Sequence, residues 1–163
     1  IEFFKYHLDF IKKKNLKMPD ILVNLRPTSP LREVKVIDDA INIFKSCKEA
    51  TSLRSAHKVG FTPYKMFKRN GNFMNPYLIK EGVKESHSAS RQLFEDSYVG
   101  NGYVDVLNPK LIEDSGVLYG DSILLYETEI VLDIDIKKDL IDCPKNLTDK
   151  KFKPLLTYLE GCK

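Results

Sequence analysis

A short apolar run that ends in a proline-bracketed turn and then gives way to helical periodicity constrains this chain more than any other feature. Ile21-Leu22-Val23-Asn24-Leu25 is almost continuously apolar, the pattern of a strand buried on both faces. Pro27-Thr28-Ser29-Pro30 ends it. Val34, Ile37, Ala40, Ile41 and Phe44 then recur at helical spacing, with Ser29 placed to cap the helix and Pro30 to occupy its first position. A second extended stretch, Ser52 to His57, follows where a parallel strand returns after a crossover helix. Together these pieces form a βαβ unit and predict an α/β fold.

Around that unit the pattern changes. Ile1, Phe4, Leu8 and Ile11 share one helical face, and Lys12-Lys13-Lys14 follows where positive charge favours a helix C-terminus, which predicts a helix over 1–15. Residues 58–90 lose clean periodicity and carry Pro63, Gly71, Pro76 and Gly82 among aromatics and lysines, a signal for hairpins and mobile loops. Tyr103 to Leu107, Ser122 to Tyr126 and Glu129 to Ile136 are extended candidates. Leu147, Phe152, Leu155, Leu156 and Leu159 predict a terminal helix that starts near Thr148.

Composition sets outer limits. A chain of 163 residues, 42% hydrophobic and 30% charged, is of a length for a single globular domain over 1–163. No apolar run is long enough to span a bilayer as a helix, so no membrane partner is expected. The balance of 26 Lys and Arg against 23 Asp and Glu leaves +3, too small a surplus to predict nucleic acid as a partner. Cys47, Cys143 and Cys162 are odd in number and lack metal-ligand spacing, which fits a reducing cytoplasm. The chain opens on Ile1 without a secretory pattern and reads as the later part of something longer.

Three groups of residues have the chemistry of a site. Leu25-Arg26-Pro27-Thr28-Ser29-Pro30-Leu31-Arg32 stands at the carboxyl end of a strand and at a helix start, where α/β sheets bind ligands and free N–H groups meet anions; a plain turn explains the same residues. Asp133-Ile134-Asp135, in a strand, would project two carboxylates to one face roughly 6–7 Å apart. Such a pair suits Mg²⁺, which takes one or two carboxylates with water and substrate phosphate; a half-exposed strand with its acids on the wet face is the alternative. Arg91-Gln92 with Asn101-Gly102 offers a guanidinium fork and amides for a polar acid, or simply a surface arginine and a turn.

In order along the chain, Arg26-Pro27-Thr28-Ser29-Pro30-Leu31-Arg32, Pro63-x-Lys65, Arg91-Gln92, Asn101-Gly102 and Asp133-x-Asp135-x-x-x-Asp139-Leu140 resemble the acylneuraminate cytidylyltransferases, the CMP-sialic acid synthetases. The resemblance covers roughly residues 1–142 and implies a mostly parallel central sheet of the nucleotide-diphospho-sugar transferase (Rossmann-like) type, truncated at its N-terminus, with a small dimerisation excursion. It also implies a homodimer that joins CTP to a nine-carbon sugar acid, giving CMP-sugar and pyrophosphate with Mg²⁺. By position, Asp133 and Asp135 are implied as the catalytic, metal-binding carboxylates, and Arg26, Thr28, Ser29, Lys65, Arg91, Gln92, Asn101 and Asp105 as substrate-binding residues.

Two departures from the family fall on the sugar side. Arg26 replaces a common Gln, and Asp105 stands where sialic-acid members commonly carry Tyr, which suits a legionaminate, pseudaminate or other keto-sugar acid. The family's basic, glycine-containing nucleotide loop has no counterpart here, so residues 1–163 alone are expected not to turn over CTP. A non-catalytic interaction module that keeps the dimer surface is the competing expectation.

Overall fold

The computed structural model describes residues 1–146 and 149–162. In chain order the elements are α1 (Glu2–Lys13), β1 (Leu22–Asn24), α2 (Val34–Ser46), β2 (Ser52–Val59), β3 (Phe67–Asn70), β4 (Phe73–Pro76), β5 (Ser97–Leu107), α3 (Pro109–Ser115), β6 (Ile123–Glu127), α4 (Lys137–Asn146) and α5 (Lys153–Gly161). They form two compact units, Ile1–Ala56 with Gly100–Lys163, and His57–Val99.

The first unit carries a four-stranded sheet in the order β1-β5-β2-β6. β1 pairs antiparallel with β5, Leu22 opposite Leu107 and Asn24 opposite Asp105. β2 pairs parallel with β6, Ser52 opposite Ile123 and Ala56 opposite Glu127. That is the single parallel pairing of a mixed sheet, so β1, β2 and β6 point one way and β5 runs against them. The α/β class stands, while the expected mostly parallel sheet is corrected to a mixed one: β5 lies between the two strands of the βαβ unit. The reason is physical. A strand buried on both faces shows the same apolar run whichever way it points.

Both faces of the sheet are covered. Leu53, Val104 and Val106 pack against Ala40 and Phe44 of α2 in one core, and Leu107 packs with Leu8 of α1 and Ile112 of α3 in the other. The alternation along β5 follows from the two-residue period of a strand. Asn108 caps α3 by accepting from the Lys110 and Leu111 N–H groups, Pro109 fills the first turn, and Gly116 closes it in the left-handed region. Lys12 near the end of α1 ties that helix to Glu113 at 2.7 Å.

Two further expectations shift. α2 begins at Val34 with Glu33 as N-cap, so Ser29 and Pro30 lie in the preceding loop rather than at the helix start. Residues 128–135 form an irregular segment rather than a third strand. The expected helix start at Thr148, with Leu147, lies outside the described residues; α5 runs from Lys153.

In the second unit β3 and β4 form the expected hairpin, Asn70 opposite Phe73, with Gly71 at φ +60° in the two-residue turn where a side chain would be strained. Tyr64 stacks on Phe94 at 4.8 Å, and Lys58 pairs with Asp96 at 2.6 Å. The three cysteines are free thiols, and among the described residues no helix is long and apolar enough to cross a membrane.

Leu53 is fully buried where β2 meets α2. Leu53→Ala should therefore cost about 2–5 kcal/mol, read as a lower urea midpoint at unchanged slope.

Candidate functional site

The loop after β1 is held by one side chain. The Arg32 guanidinium donates from Nε to the Tyr103 carbonyl at 2.6 Å, from Nη2 to the carbonyls of Arg26 at 2.6 Å and Gly102 at 3.2 Å, and from Nη1 to that of Ser29. Burial lowers its pKa from the usual arginine value, opposed by the charges of Tyr103 and Asp133; an arginine starts high enough to remain a cation. Ser29 N–H donates to the Arg26 carbonyl at 3.2 Å, closing the turn. The Tyr103 hydroxyl accepts from Glu33 N–H, fixing the start of α2 against β5.

Against this loop lies the acidic segment. Ile134 N–H donates to the Thr28 carbonyl at 2.8 Å, and the buried Ser29 hydroxyl donates to Asp133 Oδ1 at 3.4 Å. Asp133 is half-buried and Asp135 is exposed. The expectation of two carboxylates on a pleated strand is thus corrected: the segment holds to the loop through single hydrogen bonds instead of a ladder. Asp139 accepts from the N–H groups of Asp135 and Ile136 at 3.1 and 3.0 Å, the return half of a capping box at the start of α4.

Neither Asp133 nor Asp135 is paired with a lysine or arginine within salt-bridge distance among the described residues. Among the described residues, no three His, Cys, Asp or Glu side chains cluster as a metal cage. Asp133 and Asp135 offer hard oxygen ligands of the kind Mg²⁺ takes, one or two carboxylates with the rest of its shell left to water and phosphate.

Asn101 ties the reversed strand to this segment. Its Nδ2 donates to Thr128 Oγ1 at 2.7 Å and its Oδ1 accepts from Tyr103 N–H at 3.2 Å. Gly102, at φ +67°, lets Arg26 lie flat on the backbone: a Cβ there would stand 2.7 Å from Arg26 Cδ. Asp105 has no exposed surface. Its Oδ2 accepts from the Asn24 amide at 3.3 Å and the Tyr119 hydroxyl at 3.1 Å, and Oδ1 lies 3.8 Å from Arg54 Nε. Burial first and then the Asp105 charge raise the Tyr119 pKa, which keeps that hydroxyl a donor. In this arrangement Asp105 orients neighbouring groups rather than presenting its own carboxylate to a ligand.

Lys65, Arg91 and Gln92 belong to the second unit. All three are exposed; Lys65 ends a short 3₁₀ turn, and Arg91 opens another, with Nη2 donating to the Val59 carbonyl at 3.3 Å. In the first unit, Thr28, Ser29, Asp133 and Ile134 meet directly. A cavity of about 610 Å³ in that unit is lined by Glu33, Tyr103, Thr128, Val131 and Lys151 among others, but by neither acid of the pair.

Sequence reasoning named Arg32 only as part of the loop and passed over Arg54 and the capping role of Asp139. The spacing Asp135-x-x-x-Asp139 was visible before a helix, whereas the contacts of Arg32 and Arg54 with β5 join positions 71, 70 and 51 residues apart, beyond any local pattern. Compared with protein-family models and with curated proteins, the chain finds no match.

Because hydrogen bonds from a charged donor are each worth about 1.5–3 kcal/mol, partly offset when the guanidinium regains water, Arg32→Met should destabilise the fold by about 2–4 kcal/mol. Native-state hydrogen exchange should also show the Ile134 amide losing protection. An unchanged midpoint and an unchanged Ile134 rate would remove Arg32 from this role.

Proposed function

We propose that the chain belongs to a cytidylyltransferase that activates a nine-carbon sugar acid with CTP to give a CMP-sugar and pyrophosphate. The observation that carries this reading is the contact between the Pro27-Thr28-Ser29-Pro30 loop and the acidic segment, through Ser29 to Asp133 and Thr28 to Ile134. Two motifs 104 residues apart in the chain meet at one sheet edge, where the loops that follow β1 and β6 leave and β5 enters.

On this reading Asp133 and Asp135 would hold Mg²⁺, which when bound would neutralise the phosphate charge that builds during nucleotidyl transfer. Arg32 keeps the loop carbonyls turned inward, so that Thr28 and Ser29 stay at a fixed distance from the acids. The anomeric hydroxyl attacks the α-phosphorus and gives up its proton to water, the bond from that phosphorus to the bridging oxygen breaks, and pyrophosphate leaves. The protein works in the cytoplasm as a homodimer.

The exposed apolar side chains of the second unit, among them Phe73, Met74, Tyr77 and Ile79, favour a partner surface there. That observation serves the homodimer and equally a second reading, a non-catalytic interaction module that keeps this surface.

Incubating the intact natural gene product with CTP, Mg²⁺ and N-acetylneuraminate, legionaminate or pseudaminate in turn should release pyrophosphate with at least one acid. Asp133→Asn should lower turnover by roughly a hundredfold or more, since a catalytic metal supplies several kcal/mol of charge stabilisation, with the circular dichroism unchanged. No release with any acid, or an Asp133→Asn enzyme as active as the parent across a Mg²⁺ titration, would favour the interaction module or another nucleotidyl chemistry.

A further inference from the structure

Arg54 carries none of the motifs that suggest a function, yet it lies beside a fully buried carboxylate on the sheet. Asn24, Asp105 and Arg54 come from three neighbouring strands, β1, β5 and β2, and meet beneath Tyr119. Asp105 is completely buried, its Oδ1 accepts no hydrogen bond, and Arg54 Nε, buried as well, donates none. A pair at 3.8 Å with two unused hydrogen-bonding atoms is a costly arrangement for a purely structural ion pair.

The Arg54 side chain is partly open to solvent. It is 35% exposed, and because Nε is buried that surface belongs to its other atoms. The guanidinium lies 4.7 Å over the Tyr119 ring and flat against Gly100, where a Cβ would come within 2.8 Å of Nε. Arg26 lies in the same manner against Gly102, and no carboxylate or carbonyl among the described residues accepts from its guanidinium. Two guanidinium groups therefore rest on the two glycines of Gly100-Asn101-Gly102, with Asp105 as the nearby carboxylate, leaving one positive charge in excess.

We propose that Arg54 and Arg26 form a subsite for an oxyanion of the ligand, and that Asp105 is a positioning residue that holds Arg54 by its Nε edge so that its remaining N–H groups face the ligand. A guanidinium fork binds carboxylate or phosphate oxygens through parallel hydrogen bonds, and the aromatic face of Tyr119 limits how far it swings. The glycines matter because any side chain at 100 or 102 would lift an arginine off the strand. The assignment of the oxyanion to the sugar acid rests on the synthetase reading; the subsite itself does not.

The test follows the Arg Nε–H resonances of the whole chain by ¹⁵N–¹H NMR during titration with N-acetylneuraminate, with its methyl ester and with inorganic phosphate. Saturable shifts at Arg54 and Arg26 with the acid, and none with the ester, are the expected result. A response to phosphate alone would support the subsite and move it to the nucleotide side, and no response at either arginine to any anion would overturn the proposal. The double variant Arg54→Gln with Asp105→Asn removes both buried charges together, so it should keep its unfolding midpoint while weakening anion binding at least roughly tenfold. Asp105→Asn alone should move the Arg54 resonance and weaken binding. Unchanged affinity in a folded double variant would overturn the role of Arg54, whatever the pyrophosphate assay returns.

Discussion

The grip of the Arg32 guanidinium on four backbone carbonyls is the interaction on which the rest of this arrangement depends. Two of those carbonyls, Arg26 and Ser29, belong to the loop after β1, and two, Gly102 and Tyr103, belong to the reversed strand β5. One planar cation thus fixes the loop against the strand. Without it the carbonyls of a tight turn would face one another with only water between them, and Ser29 would have no reason to be buried with its hydroxyl turned to Asp133. The lowered Arg32 pKa records what that burial costs the charge.

The topology turns this local grip into a site. β1 and β6 leave the sheet in the same direction, so the loop at Pro27 and the acids at 133 and 135 emerge at one edge, and β5 enters there with Asn101 and Gly102. Hydrogen bonds from Asn101 to Thr128 and from Ile134 to Thr28 then hold the emerging segments together. On the face that carries Leu107, the same strands bring Asn24, Arg54 and Asp105 together. A mixed sheet achieves this juxtaposition because β5 contributes its beginning, not its end, to the edge where the other strands finish.

How much of this could be read in advance depends on whether the signal was local. The periods of α1 and α2, the apolar run of β1 and the Gly71 turn are local and were legible. The direction of β5 was not, since Tyr103 to Leu107 is apolar or buried regardless of its sense. Residues 129–136 alternate like a strand, yet hydrogen bonding to Thr28 and the Asp139 cap, rather than a ladder, determine their course. Ser29 looked like a helix cap because its partner, Asp133, is 104 residues away, and Arg54 looked like an ordinary strand residue because Asp105 and Tyr119 lie on other elements. The residue types of the candidate site were legible; which of them touch was decided by tertiary pairing.

The central claim is that the loop at Thr28 and Ser29 and the acids at Asp133 and Asp135 share one divalent-cation site. Mn²⁺, used as a paramagnetic stand-in for Mg²⁺ during ¹H–¹⁵N NMR of the chain, tests it most directly. The account predicts selective broadening of the amides of Thr28, Ser29, Asp133, Ile134 and Asp135, reversed by excess Mg²⁺ and lost in Asp133→Asn. Broadening centred instead on Glu33, Glu129 and Asp149 beside the large cavity, or no selective broadening at all, would contradict it.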